Sequence, residues 1–158
     1  MKGIEMITET IIDNRISLGL THELSTIEDK GTSPLLKAIE RNNKDIVKIL
    51  IDHKANIKLE DTRGNIALTI AAQNNHLEIV KIITNTSKAD DNINHQNKYG
   101  NTPLMYAIQN KNKNMVKLLI EANKNGISLI NKKGQTAKNI ALDLKYYDIA
   151  SMIEEASK

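Results

Sequence analysis

The sequence predicts an all-α protein built as a solenoid of stacked helix-turn-helix units, and three observations lead to that prediction. Glycines recur at Gly31, Gly64, Gly100 and Gly134, which are 33, 36 and 34 residues apart. An alanine follows each glycine seven residues later, and an aliphatic cluster follows each alanine. Aromatic residues make up only 3% of the 158 residues, so the core must be mainly aliphatic. A period of this length predicts units that bury their apolar faces against one another.

The aliphatic clusters predict the second helix of each unit. Their apolar residues fall at i, i+1, i+3 and i+4, a spacing that places them on one face of a helix. Each unit is therefore expected to hold a short first helix, a tight connection and this second helix. The clusters are Ile46-Val47-x-Ile49-Leu50, Ile79-Val80-x-Ile82-Ile83, Met115-Val116-x-Leu118-Leu119 and Ile149-Ala150-x-Met152-Ile153.

Capping residues mark where two of the first helices begin. Ser33-Pro34 and Thr102-Pro103 each offer a hydroxyl acceptor at the N-cap and a proline at the first helical position, where no backbone donor is needed. Ile66-Ala67 stands at the same place in the second unit and has no hydroxyl. We therefore expect the second unit to be the least stable internal one.

Asparagines mark where the first helices end. Asn42 and Asn75 occupy the closing position, and asparagine tolerates the left-handed conformation better than most residues. Lys111 and Lys145 stand at the same position in the later units and fit that conformation less well.

These features resemble the ankyrin repeat. Residues 100–107 read Gly-Asn-Thr-Pro-Leu-Met-Tyr-Ala, residues 75–81 read Asn-His-Leu-Glu-Ile-Val-Lys, residues 54–58 read Lys-Ala-Asn-Ile-Lys, and residues 92–94 read Asn-Ile-Asn. The resemblance covers about residues 28–156 and implies stacked units with short hairpin loops and terminal caps. The family's histidine after Thr-Pro-Leu, which ties adjacent repeats, is replaced by Leu36, Thr69, Met105 and Asn139.

The resemblance also implies a domain division. We expect repeats at 28–60, 61–96 and 97–130, with a loop insertion near Ser87 to Ala89 in the second. Residues 131–158 are expected to form a C-terminal capping repeat, because Lys138 replaces an inward leucine there. Residues 1–27 lack the glycine motif and are expected to form N-terminal capping helices or a degenerate repeat.

Several function classes lack support in the sequence. There is no cysteine, and the four histidines, among which His76 is expected to be structural, show no metal-ligand spacing. Phosphate-binding and nucleophile-elbow motifs are missing. No signal peptide or apolar membrane span is visible, so a soluble, cytoplasmic chain is expected. The sequence therefore predicts a protein that is not an enzyme and needs no metal or cofactor.

The expected function is binding of a partner protein. The resemblance implies that hairpin tips and the exposed faces of the first helices line a concave groove. Tyr99 is the most notable tip residue, because exposed tyrosines are enriched in binding hot spots. Basic tips predict a partner with an acidic surface, which electrostatic attraction would steer to the groove. Units that contact only their sequence neighbours predict a monomer. The candidate partner-binding residues are Lys30, Thr32, Glu40, Arg41, Arg63, Asn65, Gln73, Asn74, Lys98, Tyr99, Asn101, Gln109, Asn110, Lys132 and Lys133.

Two alternatives stay open at this stage. The basic tips could bind nucleic acid, although the net charge of +3 is modest and only Tyr99 is available for base stacking at the tips. An enzyme with a site assembled from scattered acids and histidines is the less favoured alternative.

Overall fold

A computed structural model describes residues 33–86 and 92–158, and all of its regular elements in those ranges are helices. The expectations for residues 1–27, for the first hairpin tip and for the loop near Ser87 to Ala89 lie outside the described residues. The α-helices, numbered along the described residues, are α1 (Pro34–Glu40), α2 (Lys44–Asp52), α3 (Ala67–Gln73), α4 (Leu77–Thr84), α5 (Pro103–Gln109), α6 (Lys113–Ala122), α7 (Ala137–Asp143) and α8 (Tyr147–Ala156), and a 3-10 turn spans Lys124–Ser128.

The helices form two layers. The first helices pack in the order α1, α3, α5, α7, and the second helices pack in the order α2, α4, α6, α8. Each first helix also packs against the second helix of its own unit. The main contacts therefore join neighbouring units only, as the glycine period predicted, and the all-α repeat fold is confirmed.

The core is a continuous aliphatic cluster between the layers. The aliphatic pattern recurs in each repeat and places Val47, Val80 and Val116 in this cluster with no exposed surface. Alanines at the glycine-plus-seven position, such as Ala71 and Ala107, are also fully buried and let neighbouring first helices approach closely. At about 0.8 kcal/mol per buried methylene, this cluster is the main source of stability.

The helix starts follow the capping prediction. Ser33 Oγ accepts a hydrogen bond from Leu36 N at 3.1 Å, and Thr102 Oγ1 accepts one from Met105 N at 3.3 Å. Ile66 stands before α3 with no side-chain cap, as expected. The side chain of Ile66 is buried, with 1% of its surface exposed, as are those of the capping residues Ser33 and Thr102. Ile66 therefore packs in the same place but supplies no acceptor to the start of α3.

The first helices all end in the left-handed conformation. The φ angles are 54° at Asn42, 62° at Asn75, 55° at Lys111 and 61° at Lys145. The asparagine prediction is confirmed, and the two lysines adopt the same angle despite their poorer preference. The tight connection to the second helix sets the conformation, and the residue type only changes its cost.

The final unit carries Lys138 where the other described units carry a leucine, and its first helix begins with a capping box. Thr136 Oγ1 accepts a hydrogen bond from Asn139 N, and Asn139 Oδ1 accepts one from Thr136 N, which forms a capping box before α7. Lys138, at the position of an inward leucine, is half-buried, and its Nζ lies 3.2 Å from Glu154 Oε2. These contacts satisfy polar groups on the outer face of the last unit.

Candidate partner-binding surface

Three hairpin turns, at residues 61–65, 97–101 and 131–135, share one geometry. Each begins with an Asp or Asn whose side-chain Oδ1 accepts from the backbone N–H groups two and four residues later. For Asn97 these donors are Tyr99 N at 2.9 Å and Asn101 N at 3.0 Å. Asp61 and Asn131 make the same pair of bonds at 2.8 to 3.0 Å. Side chains therefore fix the turns before any neighbour is considered.

Glycines allow the turns to stack closely. Gly64 and Gly100 have φ angles of 75° and 74°, in the left-handed region that favours glycine. A Cβ atom on Gly100 would lie 2.9 Å from Asn131 Cα and 2.9 Å from Lys132 N. The next turn occupies that space, so a side chain at Gly100 would push the two turns apart.

Backbone and side-chain bonds link the consecutive turns. Lys98 N donates to Arg63 O at 3.0 Å, and Lys132 N donates to Tyr99 O at 3.0 Å. Buried Asn97 Nδ2 donates to Asn65 Oδ1 at 2.8 Å, across the boundary between two repeats. These bonds join adjacent repeats in a chain that lacks the histidine of the family pattern.

Asn65 is a correction to the predicted surface. It was expected at an exposed tip, but only 1% of its surface is exposed. Its Nδ2 donates to Asp61 Oδ2 at 2.9 Å, and its Oδ1 accepts from Asn97. Asn65 therefore supports the turns and cannot reach a partner. Asn101 is half-buried, and its Oδ1 accepts from Asn131 Nδ2 at 3.1 Å.

The charged tip residues remain at the surface in a row, because the turns that carry them are stacked. Arg63 is exposed, with its Nε 3.6 Å from Asp61 Oδ2. Lys98 Nζ donates to Thr62 O at 2.9 Å, so its charge lies over the preceding turn. Tyr99 is 56% exposed. We call these exposed residues the tip row, which consists of Arg63, Lys98, Tyr99, Lys132 and Lys133.

Asp61 places one carboxylate beneath the tip row. Partial burial raises its pKa, but hydrogen bonds from Asn65 N, Asn65 Nδ2 and Arg63 N, together with the Arg63 charge, outweigh that effect and hold the pKa below its ordinary value. Asp61 is therefore ionised at neutral pH and partly neutralises Arg63. The uncompensated positive charge lies towards Lys98, Lys132 and Lys133.

The predicted helix residues lie at the ends of the first helices. Glu40 and Arg41 are exposed at the end of α1. Gln73 is half-buried, and Asn74, Gln109 and Asn110 are exposed at the ends of α3 and α5. Asn110 Nδ2 donates to Ala72 O at 2.9 Å and to Gln73 O at 3.1 Å. We call the four residues 73, 74, 109 and 110 the amide patch.

Sequence reasoning missed the residues that hold the turns. Asp61, Asn97 and Asn131 each lie three residues before a repeat glycine, so their recurrence was visible in the sequence. The pattern that could have identified them is Asp/Asn-x-x-Gly, which favours a turn in which the Asp or Asn side chain accepts backbone hydrogen bonds. Lys30 and Thr32, which belong to the predicted surface, lie outside the described residues.

The described residues contain no group of three or more His, Asp or Glu side chains placed to hold a metal ion. A concavity of about 520 Å³ between the ends of α2 and α4 is lined by Lys48, Asp52 and Lys54 among mostly apolar groups. None of the helices in this part of the chain combines the length and apolar character needed to span a bilayer.

Two stacked layers of short helices, with a row of hairpin tips beside them, define a helical repeat protein. A family model described as ankyrin repeats (3 copies) matches residues 3–94 and 87–157. The chain therefore belongs to the ankyrin-repeat family.

Among curated proteins, the chain is similar to the potassium channel AKT2/3 of Arabidopsis thaliana. The two are 31% identical over 81 residues, which is 51% of this chain and 10% of the channel. The similarity therefore covers a small part of that relative.

Proposed function

We propose that this chain is a non-catalytic module that binds a partner protein through the tip row and the exposed ends of the first helices. Ankyrin repeats generally mediate protein-protein interaction, and members of the family are typically non-catalytic. The observation that carries the proposal is the exposed Tyr99, 56% accessible on a turn fixed by partly buried hydrogen bonds to Asn97. A tyrosine held in this way gives a large contact area at low entropic cost.

The proposed partner has an acidic surface. Lys98, Lys132 and Lys133 lie on adjacent stacked turns, while the nearby Asp61 carboxylate is engaged by Asn65 and Arg63. Aligned charges attract an oppositely charged partner and raise its association rate. The similarity to one tenth of a channel supports a module within larger assemblies and carries no channel activity to this chain. A monomeric, cytoplasmic protein stays a prediction from the sequence.

Nucleic acid is the second candidate, because the tip row is basic. Phosphates would be attracted by the same three lysines. Binding of single strands also uses aromatic side chains that alternate with the charges, and Tyr99 is the one aromatic residue in the tip row. The protein partner is therefore favoured.

Affinity capture from native lysate with matched variants tests the proposal. The tip variant is Lys98→Glu/Lys132→Glu, and the hot-spot variant is Tyr99→Ala. The control is Lys117→Glu/Lys124→Glu, which makes the same charge change at exposed sites on α6 and the 3-10 turn. Wild type and control should retain the same protein, and the tip variant should lose it. Tyr99→Ala should weaken binding by about tenfold, as a hot spot of more than ~1 kcal/mol requires.

Two results would contradict the proposal. Equal capture by wild type, tip variant and Tyr99→Ala would place the contact elsewhere. Micromolar or tighter binding of random-sequence DNA or RNA at physiological salt, lost in the tip variant, would make nucleic acid the ligand.

A further inference from the structure

The amide patch joins two repeats into one polar surface. The Asn110 side chain crosses from the end of α5 to the end of α3, where its Nδ2 bonds Ala72 O and Gln73 O. Gln73 and Asn74 follow one another at that end, and Gln109 precedes Asn110. Four amide residues therefore stand at the ends of two neighbouring first helices, which the Asn110 bonds join. In the last unit, Gln135 of the turn reaches the equivalent helix end, where its Nε2 donates to Asp143 Oδ2 at 2.8 Å.

Most hydrogen-bonding groups of this patch face water and can exchange it for a partner. Among the described residues, the side chains of Gln73, Asn74 and Gln109 have no hydrogen-bond partner, and Asn110 uses only its Nδ2. A side-chain amide offers two donor hydrogens and an acceptor oxygen. The patch can therefore donate to carbonyl groups and accept from N–H groups at the same time.

Such a surface suits an extended backbone better than a folded one. An extended segment presents unpaired N–H and C=O groups, whereas more than ~90% of buried backbone groups in a folded protein are already paired. Neutral amides bond these groups whatever the side chains are. The patch therefore has most to gain from a partner segment that is unfolded before it binds.

Repeat spacing sets the register of such a segment. Packed helices lie ~8–10 Å apart, and an extended chain advances ~3.3 Å per residue, so one repeat spans about three residues. The positions equivalent to Gln73 and Gln109 in the flanking units are Glu40 and Asp143, both acidic. The uncharged amide patch therefore covers two repeats, which corresponds to about six residues of an extended partner segment.

We infer that the amide patch holds the backbone of an extended acidic segment, whose carboxylates reach the lysines of the tip row at intervals of about three residues. This inference rests on the proposed function and names the partner's conformation. The amides supply contacts with the backbone, and the tip row selects the charge. Affinity then depends on two groups of residues that can be altered separately.

The test uses synthetic peptides with an acid at every third position. The probe is a labelled peptide of Glu-Ser-Gly repeated five times, and its charge control replaces glutamate by lysine. A third peptide replaces glycine by sarcosine, which removes one backbone donor per repeat. Binding is measured by fluorescence anisotropy at low salt, where electrostatic attraction is strongest.

Paired variants separate the amides from the charges. Gln73→Ala/Gln109→Ala should weaken binding of the Glu-Ser-Gly peptide by about fivefold to tenfold, the amount expected for one or two lost hydrogen bonds. Asn114→Ala, an exposed amide on α6, should change nothing. The sarcosine peptide should bind more weakly and should be insensitive to the loss of Gln73 and Gln109. The lysine peptide should not bind.

The contrary results are distinct. Glutamate-peptide binding that depends on Lys98 and Lys132 but ignores both Gln73→Ala/Gln109→Ala and sarcosine would overturn the inference and leave the proposed function standing. If no peptide binds but a folded protein is captured in a way that depends on the tip row, the inference is likewise overturned and the proposed function still stands. If neither peptide binding nor tip-dependent capture is found, the inference and the proposed function both fail.

Discussion

The second repeat (61–96) and the third repeat (97–130) reach the same backbone by different means. Their hairpin glycines have φ angles of 75° and 74°, and their first helices end at 62° and 55°. Their turns make the same side-chain bonds, although one begins with Asp61 and the other with Asn97. The shared turn bonds and the stacking therefore give both repeats the same geometry, and their other side chains decide how stable each repeat is.

The two repeats differ in how well their polar groups are satisfied. In the third repeat, Thr102 caps α5, and Asn112 Oδ1 accepts from Met115 N to cap α6. In the second, Ile66 and His76 precede α3 and α4 with no side-chain cap. Buried side-chain atoms without a partner in the described residues are Thr69 Oγ1 and His76 Nδ1, both in the second repeat. The comparison supports the prediction that the second repeat is the less stable of the two.

The largest expected effect comes from the residue that joins the repeats. Asn97→Ala removes the Oδ1 bonds to Tyr99 N and Asn101 N and the Nδ2 bonds to Asn65 Oδ1 and Tyr106 Oη. Buried groups left unpaired cost ~1–3 kcal/mol each, so we expect a loss of about 3 kcal/mol or more. Urea unfolding followed by circular dichroism measures it. A loss below ~1 kcal/mol would mean that the turns stack without this asparagine.

Substitutions at the starts of α5 and α3 should have smaller effects on the free energy of unfolding, and the two effects should differ. Thr102→Ala should cost about 1 kcal/mol, because it removes the cap of α5. Ile66→Thr gains a cap of similar value but replaces a buried apolar side chain, so the two terms should nearly cancel. The measurement is again the free energy of unfolding of both variants. A clear rise with Ile66→Thr would show that the missing cap outweighs the burial of Ile66.

Thr69→Val should stabilise the second repeat. The hydroxyl of Thr69 is fully buried and unpaired, and valine has nearly the same shape without the polar group. Removing an unsatisfied buried group of this kind is expected to gain about 1 kcal/mol. Amide hydrogen exchange should show slower opening of α3 and α4 than in the wild type. Unchanged or faster exchange would indicate that the hydroxyl has a partner.

The smallest expected effect is the pH response of Asp61. Its pKa is lower in the folded state than in the unfolded state, so its contribution is present above the ordinary carboxyl pKa and is lost as the pH falls through the lowered value. Asp61→Asn should therefore reduce the acid sensitivity of unfolding in the acid range below the ordinary carboxyl pKa. An unchanged pH profile in this variant would contradict the assigned hydrogen bonds. The turn of Asn97 shows that an asparagine can make the same pair of backbone hydrogen bonds as Asp61 without a titratable group.

Sequence reasoning recovered most of the fold but only part of the surface. Periodicity predicted the paired helices because apolar residues at helical spacing form one face, which must be buried against a neighbour. It misplaced Asn65, since one asparagine can serve equally as an exposed tip residue or as a buried link, and only the neighbouring Asn97 decides between them. Lys111 and Lys145 fit this helix end less well than asparagine, yet both adopt the left-handed angle.

Site-specific photo-crosslinking tests the central claim most directly. A photoreactive phenylalanine analogue would replace Tyr99 in the tip row or, as the control, Asn114 on the exposed side of α6. In native lysate, the Tyr99 position should crosslink a protein that is also lost from the Lys98→Glu/Lys132→Glu capture, and the Asn114 position should not. Crosslinking of that protein from Asn114, with none from Tyr99, would contradict binding through the tip row.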